Sequence, residues 1–228
     1  MASIKKLLRK AIRRVEFACS TRRLQPISTK FGVDRGQPID RHFIECFLQR
    51  HSEDIAGHVL EIGDAIYTRR FGGNRVDRSE VLHAVAGNPT ATVIGNLETG
   101  EGIPKKSLSC MIVTQTFQFT YETRKAIATC HNALVSGGVL LATVPGISQI
   151  SRYDMDRWGD YWRFTSLSAR KLFGEVFGEP NVEVEAHGNV ISATAFLRGL
   201  AVEDLRPKEL EFRDPDYELL ITIRAVKV

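Results

Sequence analysis

The sequence predicts an α/β fold, a mostly parallel sheet with helices on both faces, and three observations predict it. Short apolar runs alternate with helical or loop segments from residue 57 onward. The first run, His58–Ile62, leads directly into Gly63, a residue that lets backbone approach a ligand closely. The last run, Tyr217–Val228, alternates in polarity, as a strand at or near a sheet end does when it runs antiparallel. At 228 residues with 43% hydrophobic and 25% charged content, the chain is long enough to bury one sizeable core.

The elements follow in order. Residues 4–18 place Ile4, Leu7, Leu8, Ala11, Ile12, Val15 and Ala18 at helical spacing. Lys5, Lys6, Arg9, Lys10, Arg13, Arg14, Arg22 and Arg23 sit among and after them, with Glu16 the only acid before residue 24. Most of the net charge of +4 is therefore local. A terminal helix docked on its own domain, basic face in solvent, is favoured over contact with a membrane surface. The segment lacks the continuous apolar run and cleavage site of a signal peptide, and no stretch is long enough to span a bilayer.

Pro26–Pro38, with its glycines and charges, reads as an ordered loop or cap. A helix from Ile39 to about Asp54 should carry Phe43, Ile44, Phe47 and Leu48 inward. Strands are predicted at His58–Ile62, Arg75–Leu82, Ala91–Gly95, Met111–Thr116 and Gly138–Val144. A crossover helix over Glu122–Leu134 closes at Ser136-Gly137-Gly138. A polar, aromatic segment covers Ile150–Thr165, and a helix follows over Ser166–Phe177. Strands Val182–His187 and Tyr217–Val228 flank a helix over Val190–Leu205. The chain divides into a helical cap with the basic helix, 1–56, and the sheet domain, 57–228, expected to form one structural unit. Cys19, Cys46, Cys110 and Cys130 are scattered, form no C-x-x-C pair, and read as buried thiols of a cytoplasmic protein.

The order of these features resembles the class I S-adenosylmethionine-dependent methyltransferases over nearly the whole chain. The features are Glu61-x-Gly63 after strand one, an acid, Glu80, at the end of strand two, Asn96-Leu97 after strand three and a glycine pair before strand five. More narrowly, Pro26-Ile27-Ser28, Phe31-Gly32-Val33-Asp34-Arg35-Gly36, Pro38-Ile39-Asp40-Arg41 and Trp158-Gly159-Asp160-Tyr161-Trp162-Arg163-Phe164-Thr165 look like bacterial methyltransferase domains found beside glycosyltransferases or in natural-product pathways. The resemblance implies a Rossmann-like sandwich with a mostly parallel seven-stranded sheet, an antiparallel last strand and S-adenosylmethionine as cofactor. It also implies a cofactor site at Glu61, Gly63, Asp64, Ala65, Tyr67, Glu80, Asn96, Leu97, Thr114, Gln115 and Thr116.

Within that site Glu61 balances the cationic methionine end and Glu80 takes the ribose hydroxyls, with Asp77 its competitor. Asn96 accepts from the exocyclic amine through its carbonyl oxygen. The chain departs from the family pattern at Ala65 and Tyr67, where glycines are usual, at Asn96, where an acid is usual, and at Leu108-Ser109.

For O-methylation of a saccharide or secondary metabolite, positioning comes first and a base assists an unactivated hydroxyl. His187, Asp154 and Asp160 are the candidate bases, with Asp156 beside them. Arg35, His42, Trp158, Tyr161, Trp162 and Arg163 are candidate acceptor contacts. Each also has a structural reading: a hydrogen-bonded histidine, turn-capping aspartates, and aromatics packed in a core or lid. No metal-ligand pattern is evident, so metal-independent chemistry is expected. The alternative is a methyltransferase fold that has lost methyl transfer and serves as a binding or assembly module, or as a cyclase or rearrangement enzyme. A nicotinamide dehydrogenase is disfavoured because G-x-G-x-x-G is missing, and no nucleic-acid-binding motif accompanies the basic segment.

Overall fold

The computed structural model describes residues 23–228. The expected basic helix lies outside the described residues, as does Cys19. Seven strands form one sheet: β1 Gly57–Ile62, β2 Val76–His83, β3 Val93–Ile94, β4 Leu108–Thr114, β5 Leu134–Pro145, β6 Val182–His187 and β7 Leu220–Val226. Their order is β3-β2-β1-β4-β5-β7-β6, with β7 antiparallel and helices flanking the sheet. This is a Rossmann-like sandwich, as predicted. Pairing runs parallel from β3 through β5, with Leu60 opposite Glu80, Ile62 opposite Leu82, and Glu61 opposite Ile112.

The described residues form two compact units. One comprises residues 23–43, Ile147–Gln149 and Ala186–Leu220; the other comprises Ile44–Gly146, Ile150–Glu185 and Ile221–Val228.

In the second unit the core is built on β4 and β5. Cys110, Met111, Ile112 and Val113 are fully buried, as are Leu140, Leu141, Ala142 and Val144. Central parallel strands covered on both faces read as continuous apolar runs for this reason. Helix α2, Thr123–Ala133, contributes Ala126, Ile127 and Cys130; after the short helix α3, Arg152–Met155, helix α4, Ser166–Phe177, contributes Phe173. Phe173 meets Phe117 edge to face, 5.4 Å between ring centres. The helix Ile39–Arg50, α1, begins in the first unit and ends in the second; in the second it buries Ile44, Phe47 and Leu48, and in the first Ile39 and Phe43, all at the spacing of one apolar face.

In the first unit, the helix expected over Val190–Leu205 stops at Leu197. This helix, α5, is opened by Asn189, whose side chain accepts from Ile191 N and Ser192 N. It closes in a Schellman turn: Gly199 takes φ 68°, its N–H reaches Phe196 O, and Leu200 N reaches Ala195 O. A side chain on Gly199 would meet Ser28 O at 2.0 Å, so packing as well as backbone requires glycine. The chain then turns outward through Ala201, which bridges Pro38.

Among the described cysteines, Cys110 and Cys130 are buried but Cys46 is exposed, because its position on α1 falls at the edge of the apolar face formed by Phe43, Ile44, Phe47 and Leu48. Burial pushes the Cys130 thiol up to about 12 and that of Cys110 higher still. Among the described residues no helix is long and apolar enough to cross a membrane.

Candidate functional site

A cavity of about 510 Å³ opens at the carboxyl ends of the strands in the second unit. Open α/β sheets bind ligands there because successive loops diverge at the point where strand order reverses, here between β1 and β4. Each wall comes from one strand end. Ile62 ends β1 and Gly63 follows it, Leu82 and His83 end β2 with Ala84 after them, Gly95 to Glu98 follow β3, and Thr114 ends β4 ahead of Gln115 and Thr116. Phe119, Thr120 and Tyr121 continue the β4 wall, and Asp154, Arg157, Trp158 and Tyr161 close the opposite side.

Gly63 sits at φ 83° with no atom within 4 Å of where a Cβ would stand. Its backbone is held from both sides, by N–H to Leu82 O at 3.0 Å and by Asn88 Nδ2 to its carbonyl at 2.8 Å. The open space beside it is therefore a fixed feature of the wall.

Glu61 does not line the cavity. It is 3% exposed, and its carboxylate accepts from Thr68 N and Thr68 Oγ1, each at 2.7 Å, and from Tyr67 N at 3.1 Å. Burial pushes its carboxyl above the usual range, against the pull of those hydrogen bonds. The acid thus ties the turn Asp64–Thr68 to β1 instead of facing a ligand. Asp64 Oδ1 accepts from Ile66 N at 2.8 Å, Ala65 is buried, and Tyr67 stacks on Phe71. A π-helical turn, Thr68–Gly72, follows.

Glu80 is likewise turned away from the strand ends. Strand β2 runs on to His83, so Glu80 lies three residues, about 10 Å, short of the rim. Thr92 Oγ1 donates to its carboxylate, Arg78 Nε lies at 2.7 Å, and His58 Nε2 at 3.6 Å. The Thr92 hydroxyl and the Arg78 charge hold its carboxyl below the usual range despite burial. Asp77 is exposed near the start of the strand.

Asn96 lines the cavity, with its acceptor side consumed. Oδ1 accepts from Glu98 N at 2.7 Å and Thr99 N at 3.3 Å, and the backbone carbonyl accepts from Gly100 N. The expected acceptance through that oxygen is therefore replaced by a donor, Nδ2. Leu97, 8% exposed, forms an apolar wall beside it. Thr114, Gln115 and Thr116 stand at the end of β4, where Gln115 takes φ 47° and its N–H reaches both Thr143 O and Thr143 Oγ1.

Of the three candidate bases, Asp154 lines the cavity, and its Oδ2 accepts from Ser151 Oγ at 2.5 Å. Asp160 pairs with Arg163 and accepts from Ser151 N at 3.1 Å. Its burial is outweighed by those partners, which hold the carboxyl below its usual range. His187 is 4% exposed at the end of β6 and stacks on Phe43, 5.4 Å between centres; it is not among the lining residues. Asp156 does not line the cavity either.

Of the expected acceptor contacts, Trp158 and Tyr161 reach the cavity. Trp162 donates Nε1 to Thr120 O and Tyr121 O, and Arg163 is held on Asp160, so both fasten the aromatic segment. In the first unit, Arg35 is paired with Asp204 at 3.2 Å, and His42 lines a separate cavity of about 340 Å³. Sequence reasoning missed His83, Glu98, Tyr121 and Arg157. His83 had a usable signal, since it lies twenty residues after Gly63, the usual offset of a ribose-contacting side chain from the glycine turn. Among the described residues no group of three or more His, Cys, Asp or Glu stands together as a metal site.

No protein-family model and no curated protein matches the chain. Solved structures do. It is similar to a SAM-dependent methyltransferase from Archaeoglobus fulgidus at 12% identity and TM-score 0.53, covering 82% of this chain and 94% of that one. An S-adenosylmethionine-dependent methyltransferase from Mesorhizobium loti matches at 12% identity and TM-score 0.53, over 86% and 100% of the two chains. The N-methyltransferase NodS from Bradyrhizobium japonicum WM9, solved with S-adenosyl-L-homocysteine, matches at 12% identity and TM-score 0.53, over 88% and 93%. At this identity the likeness is one of fold.

Proposed function

We propose that the chain is an S-adenosylmethionine-dependent methyltransferase acting on a hydroxyl of a saccharide or secondary metabolite. The observation that carries this reading is the cavity at the reversal of strand order, with Gly63 in its wall and no atom within 4 Å of where a Cβ would stand. A volume of about 510 Å³ suits an adenosyl cofactor, since small-molecule sites run from roughly 300 to 1,000 Å³. Gly63, Asn96, Leu97, Thr114, Gln115 and Thr116 would hold it. Bound there, S-adenosylmethionine supplies an electrophilic methyl group.

The chain's own contribution is position and proton handling. Trp158 and Tyr161 offer aromatic faces to the acceptor, and Asp154 takes the acceptor proton on Oδ1 while Oδ2 stays on Ser151. Holding reactants in line accounts for roughly 7–11 kcal/mol of barrier, and a positioned base for about 10²–10⁴ in rate. The resemblance of residues 158–165 to domains found beside glycosyltransferases supports a sugar-bearing acceptor in a cytoplasmic biosynthetic setting.

The test is incubation with S-adenosylmethionine and a panel of glycosides, read by mass spectrometry for a product heavier by one methyl with stoichiometric S-adenosylhomocysteine. Asp154→Asn should lower kcat about 10²–10⁴-fold while S-adenosylhomocysteine affinity stays within about threefold. Failure of the folded protein to bind either cofactor form by calorimetry would end the proposal.

A second reading has one observation in its favour. Glu61 is spent on Thr68 and Tyr67, so the acid expected for the cofactor's cationic end does not reach it. That fits a binding or assembly module, or a rearrangement enzyme on the same fold. Cofactor binding without any methylated product across the panel would favour it.

A further inference from the structure

Arg157 is the only arginine or lysine among the residues that line the cavity of about 510 Å³, and no acid neutralises it among the described residues. Its Nη1 donates to Tyr153 O at 2.6 Å, and the guanidinium lies over the Tyr153 ring, 3.5 Å from the ring centre. These contacts hold a long side chain in place and leave Nε and Nη2 without a protein acceptor among the described residues. The other two arginines of the aromatic segment differ. Arg163 is neutralised by Asp160, and Arg152 lies outside the cavity with Nη1 on Met155 Sδ.

The segment that carries Arg157 is fastened on both sides of it. Trp158 meets His83, at the end of β2, edge on with 5.9 Å between ring centres, and Tyr161 N donates to Gln118 O at 2.8 Å beyond β4. Arg157 thus belongs to the same fixed wall as Asp154, Trp158 and Tyr161, the residues assigned above to the acceptor. A ligand that fills the cavity takes water from the guanidinium. A neutral sugar would leave that charge uncompensated, whereas a carboxylate or phosphate matches its fork of donors.

We infer that the acceptor is an anionic sugar and that Arg157 receives its carboxylate or phosphate group, which leaves Asp154, one turn earlier in the chain, to the hydroxyl being methylated. The inference rests on the methyl-transfer reading above and names its substrate class.

Three phenyl β-D-glucopyranosides that differ only at C6 test it: the neutral glycoside, the glucuronide and the 6-phosphate. Each is titrated calorimetrically into the full chain saturated with S-adenosylhomocysteine, with thermal melts to verify folding. At low salt at least one anionic form should bind about tenfold or more tightly than the neutral one, and the margin should shrink as salt is raised. The tighter of the two anionic forms identifies the group as carboxylate or phosphate. Arg157→Gln should bring all three affinities within about threefold. Arg157→Lys should keep part of the margin, since it retains the charge and loses the fork, and Arg152→Gln should keep all of it.

No margin in the wild type, binding of none of the three, a margin that persists in folded Arg157→Gln, or an equal loss in Arg152→Gln would overturn the inference while leaving the cofactor reading intact. A fall of about tenfold or more in S-adenosylhomocysteine affinity in Arg157→Gln would also overturn it, because the anion on Arg157 would then be the cofactor's own carboxylate. Failure of the wild type to bind S-adenosylhomocysteine would overturn both.

Discussion

Thr68→Val isolates the buried contact that shapes the turn after β1. Thr68 is 1% exposed, and its hydroxyl donates to Glu61 Oε2 at 2.7 Å beside the bond from its own N–H. Valine keeps the shape and removes only the hydroxyl donor. A hydrogen bond to a charged group contributes about 1.5–3 kcal/mol, and one between neutral groups about 1 kcal/mol. Which value applies depends on the ionisation of Glu61, whose carboxyl burial has raised.

The sign follows from proton counting. Between the ordinary carboxylate pKa and the raised folded value, the folded protein holds a proton that the unfolded chain has lost, so stability falls as pH rises through that window. Removing the Thr68 hydroxyl raises the folded value further and extends the window upward. The cost of Thr68→Val should therefore be about 1 kcal/mol at pH 4.5 and about 1.5–3 kcal/mol at pH 8. With a urea m-value of about 2.5 kcal/mol/M, the midpoint should drop by about 0.4 M at pH 4.5 and about 0.6–1.2 M at pH 8. Equal midpoint losses at the two pH values, or a loss below about 0.2 M at pH 8, would refute the reasoning.

Three further outcomes are expected. Gly63→Ala should cost about 1–3 kcal/mol, because alanine is strained at φ 83°. Its methyl also enters the cavity, so S-adenosylhomocysteine affinity should fall at least about tenfold by calorimetry, whereas strain alone would leave it unchanged. Arg224→Lys should cost about 1–2 kcal/mol in chemical denaturation, because the guanidinium grips Asp54 through two nitrogens, at 2.7 and 3.0 Å, and also reaches Glu183, a geometry that an ammonium cannot reproduce. In site-resolved alkylation of the native protein, Cys46 should react while Cys110 and Cys130 stay protected; burial and the neighbouring Glu45 raise its thiol, so its rate should climb with pH.

The sequence by itself determined the order and kind of the elements. Apolar periodicity is a local property, so β1, β6, α2 and α4 lie within a residue or so of where their patterns predict them. Helix ends were less legible. The stop of α5 at Leu197 depends on Gly199 closing a Schellman turn against Ser28, a contact between segments far apart in the chain. Cys46 was misread for a similar reason, since only the packing of α1 decides which face meets water.

At the candidate site the division is sharper. Gly63, Asn96 and the end of β4 were legible because strand ends and glycine turns are visible in sequence. Where the acids point was not. Glu61 and Glu80 have the residue type for ligand contact, yet Thr68 and Tyr67 capture one, while Thr92 and Arg78 capture the other. Glu98 gained its place from a loop folded around the Asn96 side chain. A carboxylate goes where donors satisfy it, and which donors stand near is decided by strand register and turn geometry, not by sequence spacing.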